Sequence, residues 1–295
     1  MGRKATGFAP GHISAFFAPY YHKNLLKTGS YGAGVCINSG STATVEVEET
    51  GEVEITTMLE GKTKHLEVTA DAVHRFLEIT KRRLRVRCSL SHTLPVSQGF
   101  GMSASGTLSV LFALSKIVNA SAITAFQCAH QAEVTHRTGL GDVVGIYAGG
   151  YEIRVKPGLQ PYGFVDRILV SEKERKLILC VLGGGLETKK VLSDRNALER
   201  CAKSGRRALA GLLREPTVKN LCFRGFEFAK DTGLATPEII ECVEALWKAG
   251  IPGSMVMLGN SVFAVPGRKR RIAEEILGSY GKVFYTEVWH PLNIF

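Results

Sequence analysis

The run Pro95-Val96-Ser97-Gln98-Gly99-Phe100-Gly101-Met102-Ser103-Ala104-Ser105-Gly106 places glycines and small hydroxyl side chains directly ahead of an apolar helical pattern, Leu108, Leu111, Ala113, Leu114, Ile117 and Val118. The preceding alternation of Leu84, Val86, Cys88 and Leu90 with Arg and Ser reads as a strand. A glycine-rich turn therefore opens a helix. Glycine lets the backbone approach a ligand closely. The first amides of a helix lack internal partners and stand at the positive end of its dipole. Together they suit a phosphate, although a turn of this composition also serves as a plain connection. Two familiar phosphate loops are excluded. No Lys follows Gly106, and Gly99, Gly101 and Gly106 do not have G-x-G-x-x-G spacing, with no acidic residue about 20 positions further on.

Two carboxylates follow. Glu133 lies near the C-terminal end of a helical run, Cys128 to Arg137. Its spacing alone reads as a surface carboxylate paired with Arg137 four residues on. Asp142 follows Thr138-Gly139-Leu140-Gly141, whose glycines free it to aim its side chain; it equally suits capping the apolar run Val143, Val144, Ile146. His130 and His136 are six apart, poor spacing for one helical face, and lack a third ligand, so they read as structural rather than as a metal site.

The pattern Pro-x-x-x-Gly-x-Gly-x-Ser-Ala-Ser over Pro95 to Ser105 resembles the phosphate-binding loop of the GHMP kinases (galactokinase, homoserine kinase, mevalonate kinase, phosphomevalonate kinase), with Phe100 for the usual Leu and Met102 for the first Ser. Two more segments resemble family motifs in the right order. Ala9-Pro10-Gly11-His12-Ile13 matches the opening Ala-Pro-Gly-Lys-Ile, with His12 for Lys. Gly253 to Ser261, with Gly253, Ser254, Met257, Gly259 and Asn260, resembles the third, glycine-rich motif. Within the superfamily, His12, the run Thr28 to Gly34, Gly139 to Asp142 and Met255 to Ser261 resemble archaeal pantoate kinases. Those enzymes phosphorylate the 4-hydroxyl of pantoate with ATP on a route to coenzyme A. Mevalonate or homoserine as substrate is the near alternative, and a basic RNA-binding module on the same fold the distant one.

The resemblance carries roles with it. Pro95, Gly99, Phe100, Gly101, Met102, Ser103, Ala104 and Ser105 would hold the ATP phosphates. Ser103 and Glu133 would hold Mg2+. Asp142 would accept or orient the proton of the acceptor hydroxyl. His12 would contact substrate or pack under the loop, with substrate contact the preferred expectation. The pantoate carboxylate calls for a basic or amide-rich anchor, for which His12, Ser30, Arg137, Arg154 and Lys27 are candidates. Phe16, Phe17 and Tyr31 are candidates for an apolar wall. The implied fold is α+β with two domains: residues 1–160 with a left-handed βαβ crossover, and residues 161–295 ferredoxin-like, the active site lying between them. A homodimer is left open.

Size and composition agree with an enzyme of this kind. The chain has 295 residues, 45% of them apolar, enough for one large domain or two modest ones. No apolar run approaches the roughly 18 residues of a membrane helix, and Met1-Gly2-Arg3-Lys4-Ala5-Thr6 has no apolar signal region behind it. The net charge of +10 would help collect an anionic nucleotide and an anionic acid. The basic clusters Lys81 to Arg87 and Arg268 to Arg271 read as a solvated strand face and a surface helix opening, without the aromatic platform of a nucleic-acid surface. Nucleic acid and membrane are therefore not expected partners. Seven scattered cysteines without a Cys-x-x-Cys argue against a disulfide framework or a zinc site and for a reducing cytoplasm.

The elements that must position these residues follow an α+β order rather than alternating βα units. Strands are expected at Ala33 to Ile37, Thr42 to Val47, Val53 to Met58 and within Gly61 to Val68, then a helix over Asp71 to Arg82. Helices over 103–118 and 121–138 come next, then a strand at Tyr151 to Val155 and a Pro/Gly-rich boundary at Lys156 to Gly163. Beyond it come a strand at Lys176 to Leu182, helices over Ser193 to Arg214 (with Ser193 as its cap), Thr217 to Lys230 and from Thr236-Pro237 to Gly250, and a strand within Val256 to Val265. A helix over Lys269 to Leu277 and a strand over Lys282 to Trp289 complete the order.

Overall fold

The computed structural model describes residues 2–184 and 193–290. Two long strands organise its first sheet. β1 (Arg3–Tyr20) and β2 (Gly29–Glu49) pair antiparallel from Arg3 opposite Val47 to Tyr20 opposite Gly29. The sequence suggests two short strands here, because Asn38-Ser39-Gly40-Ser41 has turn composition. The chain instead runs straight through. A Cβ on Gly40 would overlap the Ala9 carbonyl and lie 2.8 Å from Pro10 Cα, so this glycine serves close approach of two strands and not a turn. The register of β1 slips between Pro10 and Gly11 and again between Ser14 and Phe16, so irregularities flank His12; such bulges bend a strand and re-aim its side chains.

The other edge of β2 is shared. Ser41 to Glu49 pair with β5 (Leu84–His92), and Gly32 to Val35 with β6 (Tyr151–Lys156). With β3 (Glu54–Leu59), β4 (Lys62–Thr63) and β7 (Phe164–Ile168), the order is β4-β3-β5-β2-β6-β7, with β1 beside β2. β3 and β5 are parallel, joined through β4 and α1 (Glu67–Ile79), and so form the βαβ unit. α2 (Met102–Val118) is buried on nearly every side against β1 and β2, as a helix apolar all round must be. α3 (Ala122–His136) and α4 (Asp142–Ala148) complete this half.

The second sheet is β11-β8-β10-β9, wholly antiparallel, from β8 (Lys176–Val181), β9 (Gly253–Val256), β10 (Ser261–Ala264) and β11 (Lys282–Glu287). α5 (Arg195–Arg214), α6 (Val218–Thr232) and α7 (Pro237–Lys248) lie between β8 and β9, and α8 (Arg270–Gly278) between β10 and β11. This is the β-α-β-β-α-β ferredoxin-like order with added helices. Thr217 and Thr236 cap α6 and α7 as their sequence suggests. α5 is capped by Asp194 rather than Ser193: the Asp194 carboxylate accepts from the amides of Asn196 and Ala197 at 2.9 and 3.2 Å. The Lys156 to Gly163 connector precedes β7, which still belongs to the first sheet, and the second sheet starts at β8.

One core cluster ties the two sheets together. Ile13, Phe16 and Phe17 from β1 pack with Leu179, Leu209, Phe228, Met255 and Phe263 of the second half. A separate cluster holds α1, α2 and α3 on the first sheet. All seven cysteines are buried free thiols, behaving as small apolar side chains. Arg85, on the solvated face of β5, pairs with Glu48 and Glu54. Among the described residues no helix is long and apolar enough to cross a membrane.

Candidate active site

A cleft of about 580 Å³ runs along the turn before α2. Gly99 and Gly101 of that turn have φ of +77° and +67°, the left-handed region that glycine enters without a Cβ clash. Gly101 is the N-cap of α2 and brings no side chain to it. Ser105 N–H already bonds the Gly101 carbonyl at 2.9 Å. The amides ahead of it have no helical partner and open on the cleft wall formed by Gly101, Met102 and Ser103. This end of the helix is thus an uncapped set of donors at the positive pole of its dipole.

The motif residues divide by direction. Pro95, Gly99, Phe100, Gly101, Met102 and Ser103 line the cleft. Ser103 is exposed there, whereas Ala104 and Ser105 are buried. Ser105 donates its hydroxyl to the Ala9 carbonyl at 2.7 Å, so its side chain ties the turn to β1 and faces away from the opening. The Phe100 carbonyl accepts from His12 N–H at 3.1 Å, a second tie to β1.

The third motif braces the turn from the other sheet. A Cβ on Gly99 would stand 2.5 Å from the Met257 carbonyl, and one on Gly259 would overlap the Gln98 carbonyl. Met257 and Leu258 line the cleft, and Met257 N–H bonds the Ser14 carbonyl of β1 at 3.1 Å. Gly253 and Ser254 lie in β9, buried behind this contact; the Asn260 carbonyl accepts from Leu182 N–H at 3.0 Å.

Glu133 is not a surface partner of Arg137. It is buried on α3, and Ser103 from α2 donates to its Oε1 at 2.6 Å. Its Oε2 is buried with no partner. Burial pushes the carboxyl up to about 7, with the charge of nearby Asp142 adding to the rise and the Ser103 hydroxyl opposing it. A Cβ on Gly139 would stand 2.6 Å from that free Oε2 and 3.1 Å from Asp142 Oδ2, so glycine keeps the space between the two carboxylates open. Ser103 Oγ at the cleft wall and the unsatisfied Glu133 Oε2 buried behind it are hard oxygens that fit a Mg2+ ion keeping most of its water. Among the described residues no group of three His, Cys, Asp or Glu could form a cage around a metal.

Asp142 lines the cleft as the first residue of α4, behind its N-cap Gly141. Its carboxylate does not cap the helix. Oδ1 lies 2.8 Å from His12 Nδ1. His12 is fully buried, and its Nε2 lies 3.1 Å from Glu152 Oε1. Substrate contact by His12 is therefore not what the geometry offers: both ring nitrogens are engaged beneath the cleft floor. Burial lowers the imidazole pKa, but the hydrogen bonds and charges of Asp142 and Glu152 together outweigh it and the net shift is upward.

Of the remaining candidates, Ser30 and Arg154 come together beside Gly141, whose added Cβ would meet Ser30 Oγ at 3.0 Å and Arg154 Cζ at 2.9 Å, and the others lie apart. Ser30 lines the cleft, its hydroxyl donating to the Leu140 carbonyl at 3.4 Å. Arg154 is buried and ion-paired with Glu152, and donates to Ser14 Oγ at 3.2 Å. Arg137 is exposed at the left-handed C-cap of α3, outside the cleft lining, and Lys27 lies over the Tyr162 ring. Phe17 lines the cleft, Phe16 is core, and Tyr31 stacks under Arg206. His130 is buried, its Nε2 against the Thr28 carbonyl at 2.9 Å, and His136 faces Asp71 and Glu67, so the two form no metal pair. The sequence reading passed over the far end of the cleft. There Leu59, Leu66, Val68, Leu90 and Val96 form an apolar wall, with Lys64, His65 and His92 among them. Nothing local marks these residues; they meet because β3, β5 and α1 fold around one opening.

The chain is similar to known proteins along most of its length. The family model "GHMP kinases N terminal domain" matches residues 66–150, which hold the turn, Glu133 and Asp142. The chain is 37% identical over 265 residues to a pantoate kinase of Thermococcus kodakarensis, covering 88% of this chain and 86% of that one. It is 33% identical over 274 residues to a pantoate kinase of Methanocaldococcus jannaschii, covering 92% and 95%. A solved structure described as a phosphotransferase related to the CoA biosynthesis pathway superposes with a TM-score of 0.86 at 32% identity, over 97% of this chain and 96% of that one. The chain belongs to the GHMP kinase superfamily and, within it, to the pantoate kinases.

Proposed function

We propose that this protein transfers the γ-phosphoryl group of ATP to the 4-hydroxyl of pantoate. The observation that carries the reading is the uncapped N-terminus of α2, opening into one cleft with Ser103 and Asp142, with Glu133 buried behind Ser103 and bonded to it. Phosphoryl transfer needs little covalent help; it needs alignment and positive charge on the transferring oxygens. The amides from Gly101 onward cradle the phosphates. Ser103 and Glu133 would hold Mg2+, which would supply positive charge against the phosphates. Asp142 receives or orients the proton of the acceptor hydroxyl, its Oδ1 held by His12. The apolar far end of the cleft takes the base, and the end near Ser14, Phe17 and Ser30 takes pantoate. The relatives' name supports pantoate over mevalonate or homoserine.

We read the chain as two domains divided after β7 rather than near residue 160, as a cytoplasmic enzyme, and as one whose partner is its small-molecule substrate. The test is ADP release with ATP and Mg2+ against pantoate, mevalonate, homoserine and pantothenate. Turnover is expected with pantoate. Asp142→Ala should lower kcat by at least about a hundredfold; a near-normal rate in that variant removes Asp142 from the chemistry, and turnover of another acid in preference reassigns the substrate.

A further inference from the structure

Glu152 on β6 has no part in the transfer as described, yet its carboxylate is wholly buried. Oε1 stands 3.1 Å from His12 Nε2 and also meets the Arg154 guanidinium, while Oε2 has no partner. Asp142, His12, Glu152 and Arg154 are linked in turn, carboxylate to imidazole to carboxylate to guanidinium, and Arg154 comes back under the cleft floor at Ser14. The backbone is shaped around the imidazole. A Cβ on Gly34 of β2 would lie 2.8 Å from Nε2 and 2.9 Å from Glu152 Oε1, and one on Gly145 of α4 would overlap the ring. The ring has one place to be.

A neutral imidazole carries a single N–H and can donate to one carboxylate only. Its other nitrogen would then point a lone pair at a carboxylate oxygen in a dry interior, which is costly. The doubly protonated ring satisfies both neighbours. With Asp142 as its only partner, His12 could serve as a neutral Nδ1–H donor. The second carboxylate is therefore what selects the charged form.

We propose that Glu152 is a positioning residue for phosphoryl transfer: it holds His12 as an imidazolium whose Nδ1–H fixes Oδ1 of Asp142 and leaves the second oxygen to meet the acceptor hydroxyl. The proposal rests on Asp142 being the group that meets that hydroxyl. The titratable groups facing His12 are Asp142 from α4, Glu152 from β6, with Arg154 behind it, and Cys36 opposite on β2; the turn before α2 brings the backbone of Phe100 and Gly101 against it. Cys36 is pushed well up by burial and then by Glu152, so it stays a neutral thiol.

NMR of the intact, ligand-free protein with labelled histidine tests it. His12 should be doubly protonated at pH 6 and titrate above 6.5, the ordinary value. In Glu152→Gln its midpoint should fall by about one pH unit or more. The alkaline limb of kcat should move down by the same interval, narrowing the rate deficit at acid pH, with KM for ATP at its wild-type value. A neutral His12 at pH 6 in the wild-type protein overturns the proposal without any variant, so misfolding of Glu152→Gln cannot hide the answer. A pH-independent loss of kcat with an unmoved midpoint overturns it too. Failure of the wild-type protein to turn over pantoate strikes the substrate assignment alone; the His12 midpoint and its shift still decide this one.

Discussion

Gly145→Ala offers a sharp test because helix propensity and packing point in opposite directions there. Gly145 lies inside α4, where alanine is ordinarily favoured over glycine by about 1 kcal/mol. Here the added methyl would stand 2.8 Å from His12 Cε1 and closer still to Nε2 and Cδ2. The ring cannot retreat: it is fully buried, and Asp142 and Glu152 hold its two nitrogens. Overpacking of a tight interior costs about 1–3 kcal/mol. Displacing the ring also forfeits a hydrogen bond between charged groups, worth about 1.5–3 kcal/mol. Set against the propensity gain, the net loss should be about 2–5 kcal/mol. Urea denaturation followed by far-UV circular dichroism reads it as a fall in midpoint at unchanged m. Gly278→Ala, at the end of α8 with nothing within 4 Å of its added methyl, is the control and should be neutral or slightly stabilising. Because Asp142 loses its orienting partner, kcat should fall while KM for ATP holds. If Gly145→Ala unfolds at the same urea concentration as Gly278→Ala and turns over normally, the packing of His12 against α4 is wrong and the argument for an oriented Asp142 fails with it.

Three further outcomes follow from the same geometry. Ser103→Ala and Glu133→Gln should each raise the Mg2+ concentration for half-maximal rate by at least about tenfold; unchanged Mg2+ dependence in both would remove them as ligands. Gly259→Ala should raise KM for ATP and cost about 1–3 kcal/mol of stability, because its methyl would overlap the Gln98 carbonyl and lie 2.7 Å from Gly99 N, pushing the third motif off the turn; an unaltered KM would separate that motif from nucleotide binding. His12 binds its proton more tightly folded than unfolded, so its stabilisation is fully present below the unfolded value of about 6.5 and is lost as pH rises through the higher folded value. Urea midpoints should therefore fall across that window in the wild-type protein and stay flatter in His12→Gln; parallel curves for the two proteins refute the linkage.

The sequence determined the elements whose cause is local. The turn at Gly99 to Ser103 was legible because glycine, small hydroxyls and an apolar 3.6-residue period all lie within twenty positions. Thr217, Thr236 and Pro237 marked helix starts for the same reason: a cap is a contact with the next three residues. Asp142 was legible as a carboxylate beside flexible glycines, though not what its oxygens would meet. The long β2 was hidden, because whether Gly40 turns the chain or lets β1 come close depends on a strand thirty residues away in sequence. By spacing alone, without the family resemblance, Glu133 could not be told from a surface residue paired with Arg137, since burial is a property of α2 arriving beside α3. The line from Asp142 through His12 to Glu152 and Arg154 had no local signal at all. Its members come from β1, α4 and β6, more than a hundred residues apart in part, and only the tertiary structure decides that two carboxylates share one imidazole. Short-range chemistry writes itself into neighbouring residues; charge pairing in a dry interior is written by whatever the fold brings within three ångströms.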